Sequence, residues 1–337
     1  MARVGREMEK QRRRNERESA RQEREFRRQI QTNMKAAEEE RARWAVDHFV
    51  ATLNAISSMH REAGDWVDWT AVLNKRSPEA PMRPPPPSAH EVEQAKAKLA
   101  NHRPGLLERW GLSKATRRLE EALAVAVSRH VQAQQSEDSA HERALLRWKE
   151  QTARDEEERS TAQAILSGDV DVRSQMVDAL NPFAELLARH GRVAVEMEPT
   201  RARIRLSLDQ DDIVPFEELS LTARGKLSRK KMATSKRLAI YQDYVCGAAL
   251  RASRELMAIL PMHQVVTDVY TDMLDSATGH MVVKPILSVC IPHEVLGNIN
   301  WNRADASDLV ERLLHRMRFH KTKGFSPVAA MDMPSED

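Results

Sequence analysis

The strongest hydrophobic pattern of the chain lies between residues 236 and 291. In its first part, apolar residues recur at steps of three and four, which places them on one stripe of a helix that Pro261 ends. Two runs rich in β-branched residues follow, 264–273 and 281–291, and they predict an antiparallel hairpin around a polar turn. The second run is apolar on nearly both faces, which indicates an interior strand, with a bulge or an edge register at Pro285.

The surrounding pattern extends this hairpin into an α+β module over residues 191–327. Further strands are predicted at residues 193–197, 203–207 and 217–222, and a last helix at residues 308–317. Strands and helices occur in blocks joined by hairpins, and this order is typical of an α+β fold. Residues 328–337 are predicted to form a disordered tail.

The N-terminal half shows helical periodicity with few core positions. Residues 1–56 lack proline and predict one long helix with an apolar seam at heptad spacing. The seam comprises Phe26, Ile30, Asn33, Ala37 and Trp44. A second long helix is predicted over residues 113–166, and half of its seam positions are polar. With a proline-rich linker at 77–88, the two helices predict an elongated coiled-coil domain, residues 1–190, built as a helical hairpin.

Charge supports the pairing of the two helices. Residues 1–45 contain 14 Lys and Arg against 9 Glu, whereas residues 118–159 contain 7 Lys and Arg against 10 Asp and Glu. The first helix is therefore basic and the second acidic, and opposite fields favour their association. The apolar positions of these half-polar seams need a partner to bury them. We therefore expect the long helices to self-associate or to bind a protein partner.

Composition indicates the compartment. Only 4% of the 337 residues are aromatic and 31% are charged, a balance typical of long exposed helices. Cys246 and Cys290 lie among apolar residues and are predicted to be buried free thiols, which fits a reducing environment. No run approaches the roughly 18 apolar residues that a membrane span needs, and no secretory signal is recognisable. The chain is therefore predicted to be cytoplasmic, without membrane contact.

The most distinctive polar feature is a basic loop at residues 224–237. It carries seven positive charges and no acid: Arg224, Lys226, Arg229, Lys230, Lys231, Lys236 and Arg237. Such a patch attracts a nucleic-acid backbone or an acidic protein surface. No aromatic residue interleaves it, which argues against a base-stacking platform. A second basic stretch lies at residues 315–323.

A weaker candidate is a carboxylate set on the predicted hairpin. Asp268 and Asp272 share one strand face, and Lys284 lies on the return strand. A metal-dependent nuclease requires two carboxylates and a lysine near one phosphate. The expected carboxylate two residues before the lysine is missing, since Val282 occupies that place, and a solvated strand face explains the same residues. The sequence contains no phosphate-binding glycine loop and no zinc or nucleophile motif, so no metal or cofactor is predicted.

These patterns favour a non-catalytic coiled-coil adaptor or scaffold, which presents its α+β module to a partner in a multi-protein assembly. The first alternative is a protein that binds DNA or RNA through the 224–237 loop and the 315–323 stretch. The second is a metal-dependent, nuclease-like hydrolase that uses Asp268 and Asp272.

Overall fold

The computed structural model describes residues 2–105, 114–187, 191–208 and 213–333. Long helices dominate the N-terminal half and antiparallel strands the C-terminal part, which confirms the predicted mixed fold class. Contacts group the chain into two units, residues 1–67 with 167–337, and residues 68–166. The sequence placed residues 1–190 in one domain, whereas the first long helix belongs by its contacts to the unit that holds the sheet.

The elements have the following bounds. The helices are α1 (Ala2–Ser57), α2 (Trp69–Leu73), α3 (His90–Ala100), α4 (Ala115–Ser167), α5 (Val170–Leu180), α6 (Ala184–Leu187), α7 (Thr234–Ile259), α8 (His293–Leu296) and α9 (Ala306–Arg312), with a 3-10 turn at Met59–Arg61. The strands are β1 (Gly191–Met197), β2 (Arg201–Leu208), β3 (Glu217–Leu221), β4 (Leu227–Lys231), β5 (Gln264–Leu274), β6 (Met281–Pro292), β7 (Leu314–Met317), β8 (Phe319–His320) and β9 (Gly324–Phe325).

Five strands form the main sheet of the first unit, in the order β1-β2-β5-β6-β7. β2 and β5 run parallel, while the other neighbouring pairs are antiparallel. β6 lies inside the sheet, as its apolar sequence predicted. The register shifts between Val269 and Tyr270, opposite Pro285, and this confirms the predicted bulge. Proline has no N–H to donate, so the ladder is interrupted at that point.

Helix α7 covers one face of this sheet and forms the centre of the core. Ser253 Oγ and Thr267 Oγ1 share a buried hydrogen bond of 2.7 Å, so the odd-numbered residues around Thr267 on β5 face the helix. Gly247 permits a close approach, since a Cβ there would lie 3.0 Å from Met59 Cγ. Cys246 and Cys290 are free and buried, as predicted.

A buried arginine attaches the chain around α7. Arg251 donates to Glu255 at 3.2 Å, to Glu62 at 3.1 Å and to Glu185 at 2.6 Å. Glu62 follows α1, and Glu185 belongs to α6. One guanidinium therefore joins the segments around α1, α6 and α7, and its planar fork suits several carboxylates at once.

The end of the predicted last helix is wrong. Helix α9 ends at Arg312, and β7 then pairs with residues 287–290 of β6. The outer edge of β6 offers unpaired backbone groups, and residues 314–317 satisfy them. This non-local pairing outweighs the local helical pattern up to residue 317.

Residues 326–333 extend across the sheet face that α7 leaves free. The Val328 N–H donates to Pro285 O at 2.9 Å, and Met331 is buried beside Val266 and Cys290. The sequence predicted disorder for residues 328–337, whereas residues 328–333 are held to the sheet in this way. Residues 334–337 lie outside the described residues.

In the second unit, the proline-rich segment lies along α4. Lys75 pairs with Asp155 at 2.9 Å, and Arg83 pairs with Asp138 at 2.7 Å. From Lys75 to Arg83, a polyproline rise of about 3.1 Å per residue gives about 25 Å. From Asp155 back to Asp138, a helical rise of about 1.5 Å per residue gives the same length. The two lengths agree, as expected for a polyproline-like segment that runs antiparallel to α4.

These contacts explain the polar positions in the seam of α4. The Trp148 indole N–H donates to Pro78 O at 2.8 Å, and Arg159 donates to Ser77 Oγ. The hydrogen bond from Lys75 holds the pKa of Asp155 below its usual range. The seam thus meets the chain's own proline segment, while the predicted pairing of α1 with α4 stays a prediction.

Candidate functional site

The predicted basic loop is a β-hairpin followed by the start of α7. β3 and β4 pair antiparallel across a turn in which Gly225 has a φ of +73°, a conformation that favours glycine. The register sets Glu217 opposite Lys231 and Glu218 opposite Lys230. An acidic strand therefore lies beside the basic one, and it lowers the net charge of the patch.

Three of the seven cations have partners within this hairpin. The contacts are Arg229 with Glu217 at 3.6 Å, Lys236 with Glu218 at 2.6 Å, and Arg237 over the Phe216 ring at 4.7 Å from its centroid. Within the described part of the chain, the other four form no ion pair: Arg224, Lys226, Lys230 and Lys231. These four side chains are the ones available to an external anion.

The second basic stretch folds near the N-terminal end of α7. A Cβ at Gly324 would lie 3.1 Å from Leu238 Cδ2, and the Phe325 and Tyr241 rings are 5.7 Å apart between centroids. Because β4 leads directly into α7, the structure brings the β8–β9 turn, residues 321–323, and the basic hairpin to the same end of this helix. Sequence separation concealed this proximity.

Asp268, the first residue of the carboxylate set, is fully buried. Its Oδ2 accepts from Arg203 Nη1 at 2.5 Å, and its Oδ1 accepts from Ser288 Oγ at 2.5 Å. Both oxygens therefore have protein partners, and the carboxylate balances the charge of Arg203 in the sheet.

The rest of the set lies apart from Asp268. Asp272 is exposed about 13 Å further along β5, four residues at about 3.3 Å each. Lys284 lies opposite Thr271, and its ammonium group is 3.9 Å from Asp275. Among the described residues, no group of three His, Cys, Asp or Glu is arranged to hold a metal ion.

A row of arginines on the sheet face opposite α7 was not predicted from the sequence. Along β2, Arg203 and Arg205 lie on this face. Ala202 and Ile204, which alternate with them, lie on the opposite face and are completely buried. Arg205 pairs with Glu196 at 2.9 Å. The alternation of arginine and apolar residues from 201 to 206 is the signal that identifies such a face.

Helix α1 carries a second apolar face. Between residues 18 and 38 every described side chain is exposed. The apolar stripe consists of Phe26, Ile30, Met34 and Trp44, which are 65, 42, 61 and 67% exposed. At about 100° per residue, these four lie within about 80° of one another. The buried Ala42, Phe49 and Ile56 lie about 120–160° from Phe26 around the same helix.

Asp243 on α7 lies close to the start of α9, and its pKa is shifted. Burial, with the nearby charge of Asp305 as a second cause, raises the pKa of Asp243 to about 6. The Ser307 hydroxyl donates to Asp243 Oδ1 at 3.0 Å and opposes part of this shift. Folding therefore favours the neutral carboxyl, and stability is expected to fall as pH rises from about 4 to about 6.

No protein-family model, curated protein or solved structure matches this chain. In the described residues, no helix is long and apolar enough to cross a membrane.

Proposed function

We propose that this protein is a non-catalytic adaptor or scaffold, which self-associates through the apolar stripe of α1 and presents its α+β module to a partner in a multi-protein assembly. The supporting observation is the exposure of Phe26, Ile30, Met34 and Trp44 along one side of α1, a helix that packs against the α+β unit further along, where Ala42, Phe49 and Ile56 are buried. A helix with two apolar faces needs a second partner to bury the free one.

The size of the stripe sets the expected affinity. Each of the four side chains is about half exposed, so burying the remainder contributes about 1–2 kcal/mol. Two copies together give about 8–16 kcal/mol, and association costs about 4–15 kcal/mol in lost freedom. The two ranges overlap and their midpoints differ by only a few kcal/mol, so the expected association is weak, with a dissociation constant from the high micromolar to the millimolar range. The expected assembly is therefore reversible and depends on concentration.

Sedimentation equilibrium tests this proposal. The wild-type mass should rise with concentration from the micromolar towards the millimolar range. The double variant Phe26→Glu/Ile30→Glu should remain monomeric, because charge on the stripe opposes its burial. The matched control Gln31→Glu/Thr32→Glu adds the same charge away from the stripe and should behave as wild type. A wild-type protein that stays monomeric, or equal loss in both variants, contradicts the proposal.

Nucleic-acid binding is the second candidate function. Its support is the set of four hairpin cations without ion pairs, together with the second basic stretch near the same end of α7. Phosphate contacts by such side chains release counterions, so affinity falls steeply with salt. The absence of aromatic residues within 224–237 favours contact with the backbone rather than with bases.

Titrations with mixed-sequence duplex and single-stranded DNA and RNA at about 50 and 200 mM salt test this candidate. Binding should weaken strongly at the higher salt and should be lost in Lys230→Glu/Lys231→Glu. The control Lys98→Glu/Lys149→Glu carries the same charge change in the other unit and should bind as wild type. Equal losses in both variants indicate attraction to overall charge, and no binding at either salt removes this candidate.

A further inference from the structure

The sheet face opposite α7 holds residues 326–333 in an extended conformation. Exposure alternates from residue 326 to residue 330, and the alternation changes phase at Met331, which is buried. The segment passes from β6, where the Val328 N–H donates to Pro285 O, towards β2, where Arg203 Nη2 donates to Met331 O at 2.5 Å. Its contacts therefore lie mainly over β6, and they reach β5 at Val266 and β2 through the Arg203 side chain.

Two side chains hold both backbone groups of one residue. Ser288 Oγ accepts from the Met331 N–H at 3.0 Å, and Arg203 donates to the Met331 carbonyl. Asp268 orients both side chains, since it accepts one hydrogen bond from the Ser288 hydroxyl and one from Arg203 Nη1. The Ser288 oxygen is thereby left to accept an N–H, and Arg203 Nη2 is left to meet a carbonyl. Together these groups replace the two hydrogen bonds that a neighbouring strand would make to the N–H and the C=O of one residue.

Side-chain recognition is confined to one position. Met331 is 5% exposed and packs against Val266 and Cys290, with Met333 at the edge of the same cluster. Other contacts, such as Arg316 to the Ala330 carbonyl at 2.9 Å, address the backbone. A site of this kind accepts any extended chain with an unbranched apolar side chain at the central position.

We infer that this face is a binding site for an extended peptide and that residues 326–333 are its intramolecular occupant. The partner segment carries an unbranched apolar side chain at the position of Met331, which packs against Val266 and Cys290, while Ser288 and Arg203 bind the backbone of the same residue. The site is separate from the stripe of α1, so it does not depend on self-association.

The tethered segment masks the site in the intact chain. A short tether gives an effective concentration on the order of 1 mM. If the segment itself binds the open site with a dissociation constant of about 10 µM, it weakens the binding of a free peptide to the intact chain about a hundredfold. Binding by a partner requires either a tighter sequence or release of the segment.

A labelled peptide with the sequence of residues 326–333 tests the site by fluorescence anisotropy on full-length chains. Met331→Asp should release the bound segment, because it introduces a charge into an apolar cluster. Ala329→Asp is the matched control, since Ala329 is exposed. We expect Met331→Asp to bind the peptide at least about tenfold more tightly than wild type or the control. A peptide with aspartate in place of Met331 should not bind.

A folded Met331→Asp chain that binds the peptide no better than wild type overturns the inference. Hydrogen exchange of the wild type provides a second measurement if this variant does not fold. The amides of Val328 and Met331 should exchange at least about tenfold faster than those of β5 and β6, since the segment opens while the sheet stays formed. Equal rates show that the segment opens only with the whole sheet, and they also overturn the inference.

Discussion

Replacement of Asp268 by alanine separates a structural role of this carboxylate from a catalytic one. The side chain is completely buried, and it accepts hydrogen bonds from Arg203 and Ser288. Alanine removes both bonds and leaves the Arg203 charge in the sheet without its counter-ion. If the role is structural, the expected result is a large loss of stability in the first unit. This loss can be measured without an assay for a catalytic activity.

The magnitude follows from the burial of the pair. Loss of one partner from a buried ion pair costs about 3–5 kcal/mol, because the remaining charge is uncompensated. The Arg203 side chain is 12% exposed and keeps its bond to Met331 O, which favours the lower end, about 3 kcal/mol. Asp268→Asn keeps an acceptor oxygen but also removes the counter-ion of Arg203, so it should cost slightly less than alanine, about 2–3 kcal/mol.

Amide hydrogen exchange in β5 and β6 measures this loss within the first unit. A loss of about 3 kcal/mol lowers protection at the most slowly exchanging amides about a hundredfold. Asp272→Ala is the matched control, since Asp272 is exposed on the same strand, and it should change stability by less than about 0.5 kcal/mol. Protection in Asp268→Ala within threefold of wild type refutes the structural assignment, and so does an equal effect of the control.

Three further changes have defined outcomes. Asp243→Asn should stabilise the chain by about 1 kcal/mol at pH 8 and by almost nothing at about pH 3, where the carboxyl is largely neutral in both states. Thermal unfolding at the two pH values checks this, and a gain that is equal at both contradicts it. Trp148→Phe removes the hydrogen bond to Pro78, which should weaken the attachment of residues 75–89 to α4 by about 1 kcal/mol and speed their proteolysis about fivefold. An unchanged cleavage rate contradicts the packing of this segment. Gly225→Ala should destabilise the β3–β4 hairpin by about 1–2 kcal/mol through its left-handed backbone, which faster exchange of the hairpin amides would reveal.

Local patterns predicted the elements whose causes are local. The stripe of α7, the β5–β6 hairpin and the bulge opposite Pro285 depend on neighbouring residues, and the structure confirms them. The parallel pairing of β2 with β5 and the addition of β7 depend on partners far along the chain. No local pattern selects such partners, so residues 314–317 were assigned to a helix.

The candidate sites show the same division. Asp268 is recognisable in sequence as a carboxylate on a strand, but its ion pair with Arg203 joins residues 65 positions apart. The polar seam of α4 suggested a missing partner, and part of that partner is the proline segment. The acids Glu217 and Glu218 lie only a few residues before the basic loop, and they are a local signal from which its partial neutralisation could have been predicted.

Photo-crosslinking from α1 tests the central claim most directly. A photoreactive residue replaces either Ile30, on the apolar stripe, or Thr32, about 200° further around the helix. At concentrations where sedimentation shows association, Ile30 should give a crosslinked dimer whose linkage maps by mass spectrometry to α1 of a second copy, while Thr32 should give little. Crosslinked dimer from Thr32 alone, or none from Ile30, contradicts self-association through the stripe.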